Sequence, residues 1–147
     1  MGFFILYKFR KKDLRHIVLL ERFVMSFMYQ QDYIMRMIRD FIRFLARTFL
    51  GKDTVVYKLP IEEKYTETDY IYKELITLLS QGKINQAENL LFEELDIRNK
   101  KYMELALDFY QRLNNYEDEF LEKNNFSREE IDEGLKEIAQ KFGIPNF

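Results

Sequence analysis

YQQDYIMRMIRDFIRFLARTFLG, residues 29–51, decides the fold. Ile34, Met37, Ile38, Phe41, Phe44, Leu45 and Phe49 recur at steps of three and four, which places them on one apolar stripe of a long helix. Arg36, Arg39, Arg43 and Arg47 recur at the same steps and form a basic stripe on another side. Gly51 stands where a left-handed residue ends a helix. Seven apolar residues, with Ile42 and Leu50 beside them, make a face wider than a few short helices need, and a second copy of the chain is one way to bury the excess.

Downstream, the signals are those of shorter helices. Lys52 to Glu63 carries β-branched Val55 and Val56 and then Pro60, so it reads as a loop with an extended piece lying across helices. Thr66 or Thr68 caps a helix whose stripe is Ile71, Leu75, Leu78 and Leu79 and whose end is Gly82. Asn85 and Glu88 have capping-box spacing for the next helix, with Ala87, Leu90, Leu91 and Leu95 inward. So short a turn makes these two helices antiparallel neighbours. Tyr102, Leu105, Ala106, Phe109 and Leu113 mark a fourth helix that runs out at Asn114-Asn115, and a short acidic helix with Phe120 and Leu121 inward follows. Ser127 and Glu130 form a capping box for the last helix, Phe126 and Ile131 a staple, and Ile131, Leu135, Ile138 and Phe142 its inner face. The fold class is therefore all-α: one long amphipathic helix packed with four or five shorter ones in helix–turn–helix order.

A chain of 147 residues suits a single core, and 14 Phe and 10 Tyr can fill it without disulfides or metal. The lack of cysteine removes thiolate nucleophiles, sulfur-ligated zinc and iron–sulfur clusters, and is compatible with a cytoplasmic protein. The net charge of −2 hides an asymmetry: residues 1–52 hold 11 Lys/Arg against 4 Asp/Glu, and the remainder holds 12 against 21. An acidic two-thirds argues against nucleic-acid binding. The basic stripe then has three other readings: a belt pairing with the chain's own acidic faces, contact with an anionic membrane surface through the helix at 29–50, or an acidic protein partner.

The first 27 residues hold two apolar runs split by Lys8, Arg10, Lys11 and Lys12. Neither run approaches the ~20 residues that cross a bilayer. The charges follow the first run instead of preceding it, and Leu6 replaces the Ser or Thr that myristoylation prefers. Glu21-Arg22 can be encoded by a purine-rich run resembling a bacterial ribosome-binding site, with Phe23 and Val24 as spacer before Met25. One expectation is that residues 1–24 precede the true start; the other is an extra amphipathic helix from about Lys12 to Phe27. Met1, Met25 and Met28 all remain candidate starts, and 28–147 is the expected domain.

Leu79 to Leu91, LSQGKINQAENLL, resembles the middle of a tetratricopeptide motif, where a Gly ends one helix and an Ala lets the second pack close; Gly82 and Ala87 are the nearest equivalents. The likeness is one partial repeat, without that motif's aromatic and proline positions. From Met28 to Ile144 the chain resembles a small bacterial family classed only as a domain of unknown function. YIMRMIRDFIRFLA at 33–46, AENLLFEELD at 87–96, YMELALDFYQRLN at 102–114 and NFSREEIDEGLKEIAQKFGI at 125–144 carry that resemblance. It implies an all-helical fold and no activity.

Catalytic chemistry finds little footing. The single histidine, His16, lies in the extension, no Gly-rich loop could cradle phosphate, and no Glu-x-x-His pair is present for a bundle metal site. Glu93, Glu94, Asp96, Glu104 and Asp108 could gather as acid and base or hold a hard cation; a solvated acidic face accounts for them equally well. Tyr102, Tyr110 and Tyr116 could line a pocket; half-buried rings with solvated hydroxyls account for them equally well. The expectation is a non-catalytic protein–protein interaction module without cofactor or metal, capable of self-association. Peripheral membrane binding is the first alternative and a carboxylate-based enzyme the second.

Overall fold

The structure, a computed structural model, describes residues 11–145 and the side chains of 15–145. The first apolar run and the basic cluster from Lys8 to Lys12 lie outside those side chains. Among the described residues there are six α-helices and no strand: α1 Lys11–Leu45, α2 Glu67–Ser80, α3 Ile84–Glu94, α4 Lys100–Asn114, α5 Asp118–Lys123 and α6 Arg128–Lys141. A π-helical turn, Ala46–Leu50, follows α1, and a single 3-10 turn, Glu62–Lys64, precedes α2.

The chain divides into two compact units, Met1–Ile34 and Met35–Phe147. In the first, the helix expected from Tyr29 already runs from Lys11, so no separate helix occupies 12–27. Its apolar side chains Val18, Leu19, Leu20, Phe23, Val24, Met25, Phe27, Met28 and Tyr29 are all exposed.

In the second unit α4 is the centre. Met103, Leu105, Ala106, Leu107, Tyr110 and Leu113 are completely buried, and α4 packs against α2, α6 and the π-helical turn. The α2–α3 pair forms one helical hairpin, turned by Gly82 at φ 73. Both strongest capping signals hold. Asp69 accepts from the Thr66 N–H and hydroxyl, each at 2.8 Å. Ser127 and Glu130 close their box, the Ser127 N–H donating to Glu130 at 2.7 Å.

The loop from 52 to 66 is fastened rather than merely draped. Val55 and Tyr57 are buried while Val56 between them is exposed, the alternation of an extended segment. Gln111 Nε2 donates to the Val55 carbonyl, the Tyr57 N–H to Asp108, and the Tyr57 hydroxyl to Asp69 at 2.7 Å. Tyr57 stacks on Tyr72 at 4.3 Å between centroids, and Lys101 Nζ sits 4.9 Å from the centre of the Tyr57 ring. Asp108 in turn accepts from Arg112 Nε at 2.7 Å, and Arg112 Nη2 donates to the Tyr72 hydroxyl. Every buried polar group in this lock therefore has a partner, as burial requires.

A second lock closes the other end of α4. Arg128, only 2 % exposed, donates to Asp118, to the backbone and side-chain oxygens of Asn114, and to the Tyr116 carbonyl. Asn114 Nδ2 reaches the Met35 carbonyl of α1 at 3.1 Å.

Candidate functional site

The last third of α1 has two apolar faces. Ile38, Ile42, Leu45 and Ala46 are buried in the core of the second unit, so Ile42, placed beside the stripe from sequence, is central to it. Met37 and Phe44, expected inside the same stripe, are 38 % and 48 % exposed. At 100° per residue they lie roughly 120° round the helix from the buried four, so the single broad stripe read from sequence is two. Phe41, half-buried, stacks on Phe44 with centroids 6.4 Å apart.

Arg36, Arg39, Arg43 and Arg47 are all exposed and follow one another along a third side, roughly 120° from either apolar face. Arg47 pairs with Asp53 of the following loop, whose carboxyl is held below its usual range first by the hydrogen bond from Arg47 and then by its charge, with Arg43 adding a further lowering. The acidic groups of α4, α5 and α6 that form ion pairs use cations of their own region: Asp108 pairs with Arg112, Asp118 with Arg128 and Asp132 with Lys136.

The π-helical turn sets where this face stops. Its wider turn, closed by Gly51 at φ 64 with its N–H on the Ala46 carbonyl, carries Phe49 onto Phe142 at the end of α6, centroids 5.8 Å apart. Phe49 therefore leaves the exposed stripe, which ends at Phe44.

The carboxylates considered for chemistry do not converge. Glu93 and Glu94 are exposed, Asp96 pairs with Arg98, and Asp108 is buried against Arg112 and the Tyr57 N–H. Among the described residues no group of three or more His, Asp or Glu is disposed to hold a metal ion.

Three residues, Asn85, Glu88 and Tyr110, take other roles than their sequence signals suggest. Helix α3 begins at Ile84 with Lys83 as its cap, so Asn85 and Glu88 form no box; Asn85 instead donates to the Asn125 carbonyl. Glu88 turns inward, where burial, followed by the nearby charges of Glu130, Glu137 and Glu133, pushes its carboxyl up to about 7 against a lowering from Tyr110. Tyr110 has no solvated hydroxyl; it is completely buried, and its Oη faces Glu88 Oε2 without a well-formed hydrogen bond. The signal that could have found them is Gly134, a glycine in mid-helix, where it costs about 1 kcal/mol unless close packing requires it. A Cβ there would lie 2.1 Å from Tyr110 Oη.

A family model for a family of unknown function, DUF6483, matches residues 28–143. The chain belongs to this family. The match leaves residues 1–27 and 144–147 outside and takes in the second unit up to Gly143, with both faces of the end of α1 and the Glu88–Tyr110 contact. No curated protein and no solved structure matches the chain. Among the described residues no helix is long and apolar enough to cross a membrane.

Proposed function

We propose that this family member is a non-catalytic interaction domain that pairs with a second copy of itself through α1. The observation that carries the reading is the exposed apolar pair Met37 and Phe44 on the second stripe, which the arginine row flanks. A second copy is favoured as occupant by charge. It brings the same apolar stripe and exposed carboxylates at Glu117, Glu119, Glu122, Glu129, Glu133 and Glu137, complementary to Arg39 and Arg43. A chain without cysteine suits the cytoplasm, where this reading places it. The α2–α3 hairpin, with its partial tetratricopeptide likeness, serves in this reading as a scaffold for α1.

The same Phe and Arg juxtaposition favours an anionic lipid surface as the second reading. Light scattering at two salt concentrations, with and without vesicles containing phosphatidylserine, separates them. A dimer that ignores vesicles, and that becomes a monomer on Phe44→Glu, supports pairing. A monomer that moves onto vesicles at low salt overturns it in favour of the membrane, and a monomer that ignores vesicles overturns both.

A further inference from the structure

Glu88 lies where α3, α4 and α6 meet. On the α4 side stands the Tyr110 ring, completely buried. On the α6 side the backbone at Gly134 comes so near that an added Cβ would sit 2.5 Å from Tyr110 Cζ as well as 2.1 Å from its Oη. Glu88 Oε2 and Tyr110 Oη are both sealed from solvent and face each other without a well-formed hydrogen bond. The charged groups that bear on Glu88 are Glu130, Glu133 and Glu137, all on α6, and no cation offsets them among the described residues. Such a place tolerates a neutral acid and penalises an anion, which would be largely buried, poorly donated by Tyr110 and repelled by the carboxylates of α6. A ligand site is a poorer account, since the unpartnered oxygen is closed off and the acidic groups are not disposed to hold a metal.

We propose that the α3–α4–α6 junction is a proton-operated latch: with Glu88 protonated, α6 stays seated on Tyr110, and loss of that proton loosens α6. The chemistry of the titration agrees. The Glu88 carboxyl, pushed up from 4.5 to about 7, binds its proton more tightly in the closed state than in an open, hydrated one. A raised acid adds stability that is complete below 4.5 and is lost as pH rises through about 7. Because Phe142 follows α6 and touches Phe49, loosening α6 also frees the π-helical turn that ends the α1 face. The latch itself stands whatever α1 binds.

Hydrogen exchange of the full chain at pH 5 and pH 8, corrected for intrinsic rates, tests it. The α6 amides should lose about tenfold more protection at pH 8 than those of α2, consistent with a partly exposed group's share of the shift. Glu88→Gln should remove that difference and keep α6 protected at both pH values. Should Glu88→Gln fail to fold, Glu133→Gln with Glu137→Gln, both at exposed positions, should halve the pH effect or more. Carboxyl NMR titration of the wild-type chain gives an independent reading of Glu88 itself. The latch is overturned by equal α6 protection at both pH values, by an unchanged pH response in the variants, or by a Glu88 titration near 4.5.

Discussion

Gly134→Ala is the most direct probe of how tightly this domain is packed. On an open helix face the change should help, since alanine is favoured over glycine in helices by about 1 kcal/mol. Here the new methyl would meet Tyr110 Oη at 2.1 Å, Cζ at 2.5 Å and Cε1 at 2.8 Å. Carbon contacts relax at about 3.5–4.0 Å, so ring and helix must separate by roughly 1 Å or more. Tyr110 is completely buried and cannot swing aside, which leaves displacement of α6 as the remaining response. Overpacking of this kind costs about 1–3 kcal/mol and, against the helix-propensity gain, leaves a net loss of about 1 kcal/mol in urea denaturation. For a chain of this size that is a fall of about 2–4 °C in Tm. The same substitution in a Tyr110→Leu background should cost close to nothing, because the atoms it strikes are gone. Wild-type stability for Gly134→Ala, or an equal loss in both backgrounds, would refute the close approach as the reason for glycine.

Other outcomes follow from the two locks and from α1. Met37→Glu and Phe44→Glu, at exposed positions, should leave the urea midpoint within about 0.5 kcal/mol of wild type while abolishing any dimer seen by light scattering. Arg128→Met should cost about 3 kcal/mol, because it strips donors from buried Asn114 and from the Tyr116 carbonyl at once. Asp108→Ala should cost about 2 kcal/mol and open the 52–66 loop to limited proteolysis, since the Tyr57 N–H and Arg112 both lose their acceptor. On the acid side, burial tends to raise the Asp69 carboxyl, but the Thr66 N–H, the Tyr57 and Thr66 hydroxyls and Lys101 together hold it below its usual value. Its contribution is therefore present above 3.8 and lost as pH falls below that, so Tyr57→Phe should flatten the acid limb of a stability–pH curve.

The elements that were legible in sequence are those written in local chemistry. Ser127 with Glu130, Thr66, Gly51 and Gly82 each specify a helix end through groups within a few residues, and each does so in the fold. The inner face of α4 was equally plain, because five residues at helical spacing all had to be buried somewhere. What was not legible depended on partners far along the chain. The apolar residues of α1 satisfy one helical period, yet the fold buries only the side of Ile38, Ile42, Leu45 and Ala46. Glu88 sits three residues after Asn85, a spacing that matches a capping box, but Ala87 must face the core and Lys83 takes the cap, which rotates Glu88 toward Tyr110. Tyr110 itself carries no mark that distinguishes it from Tyr116, which stays half-buried.

The reach of Arg128 has a bearing on how the chain acquires its structure during synthesis. The carbonyl of Asn114, at the end of α4, receives its donor from a residue 14 positions later, and Asn114 in turn holds the Met35 carbonyl 79 positions earlier. While a ribosome still encloses the segment after α5, α4 has its apolar face available but its last turn uncapped. Settling of that turn, and of α1 upon it, then waits for α6 to emerge. A nascent chain stalled before Arg128 should remain collapsed and protease-sensitive, and one stalled far enough beyond Lys141 to clear the exit tunnel should become resistant in a single step.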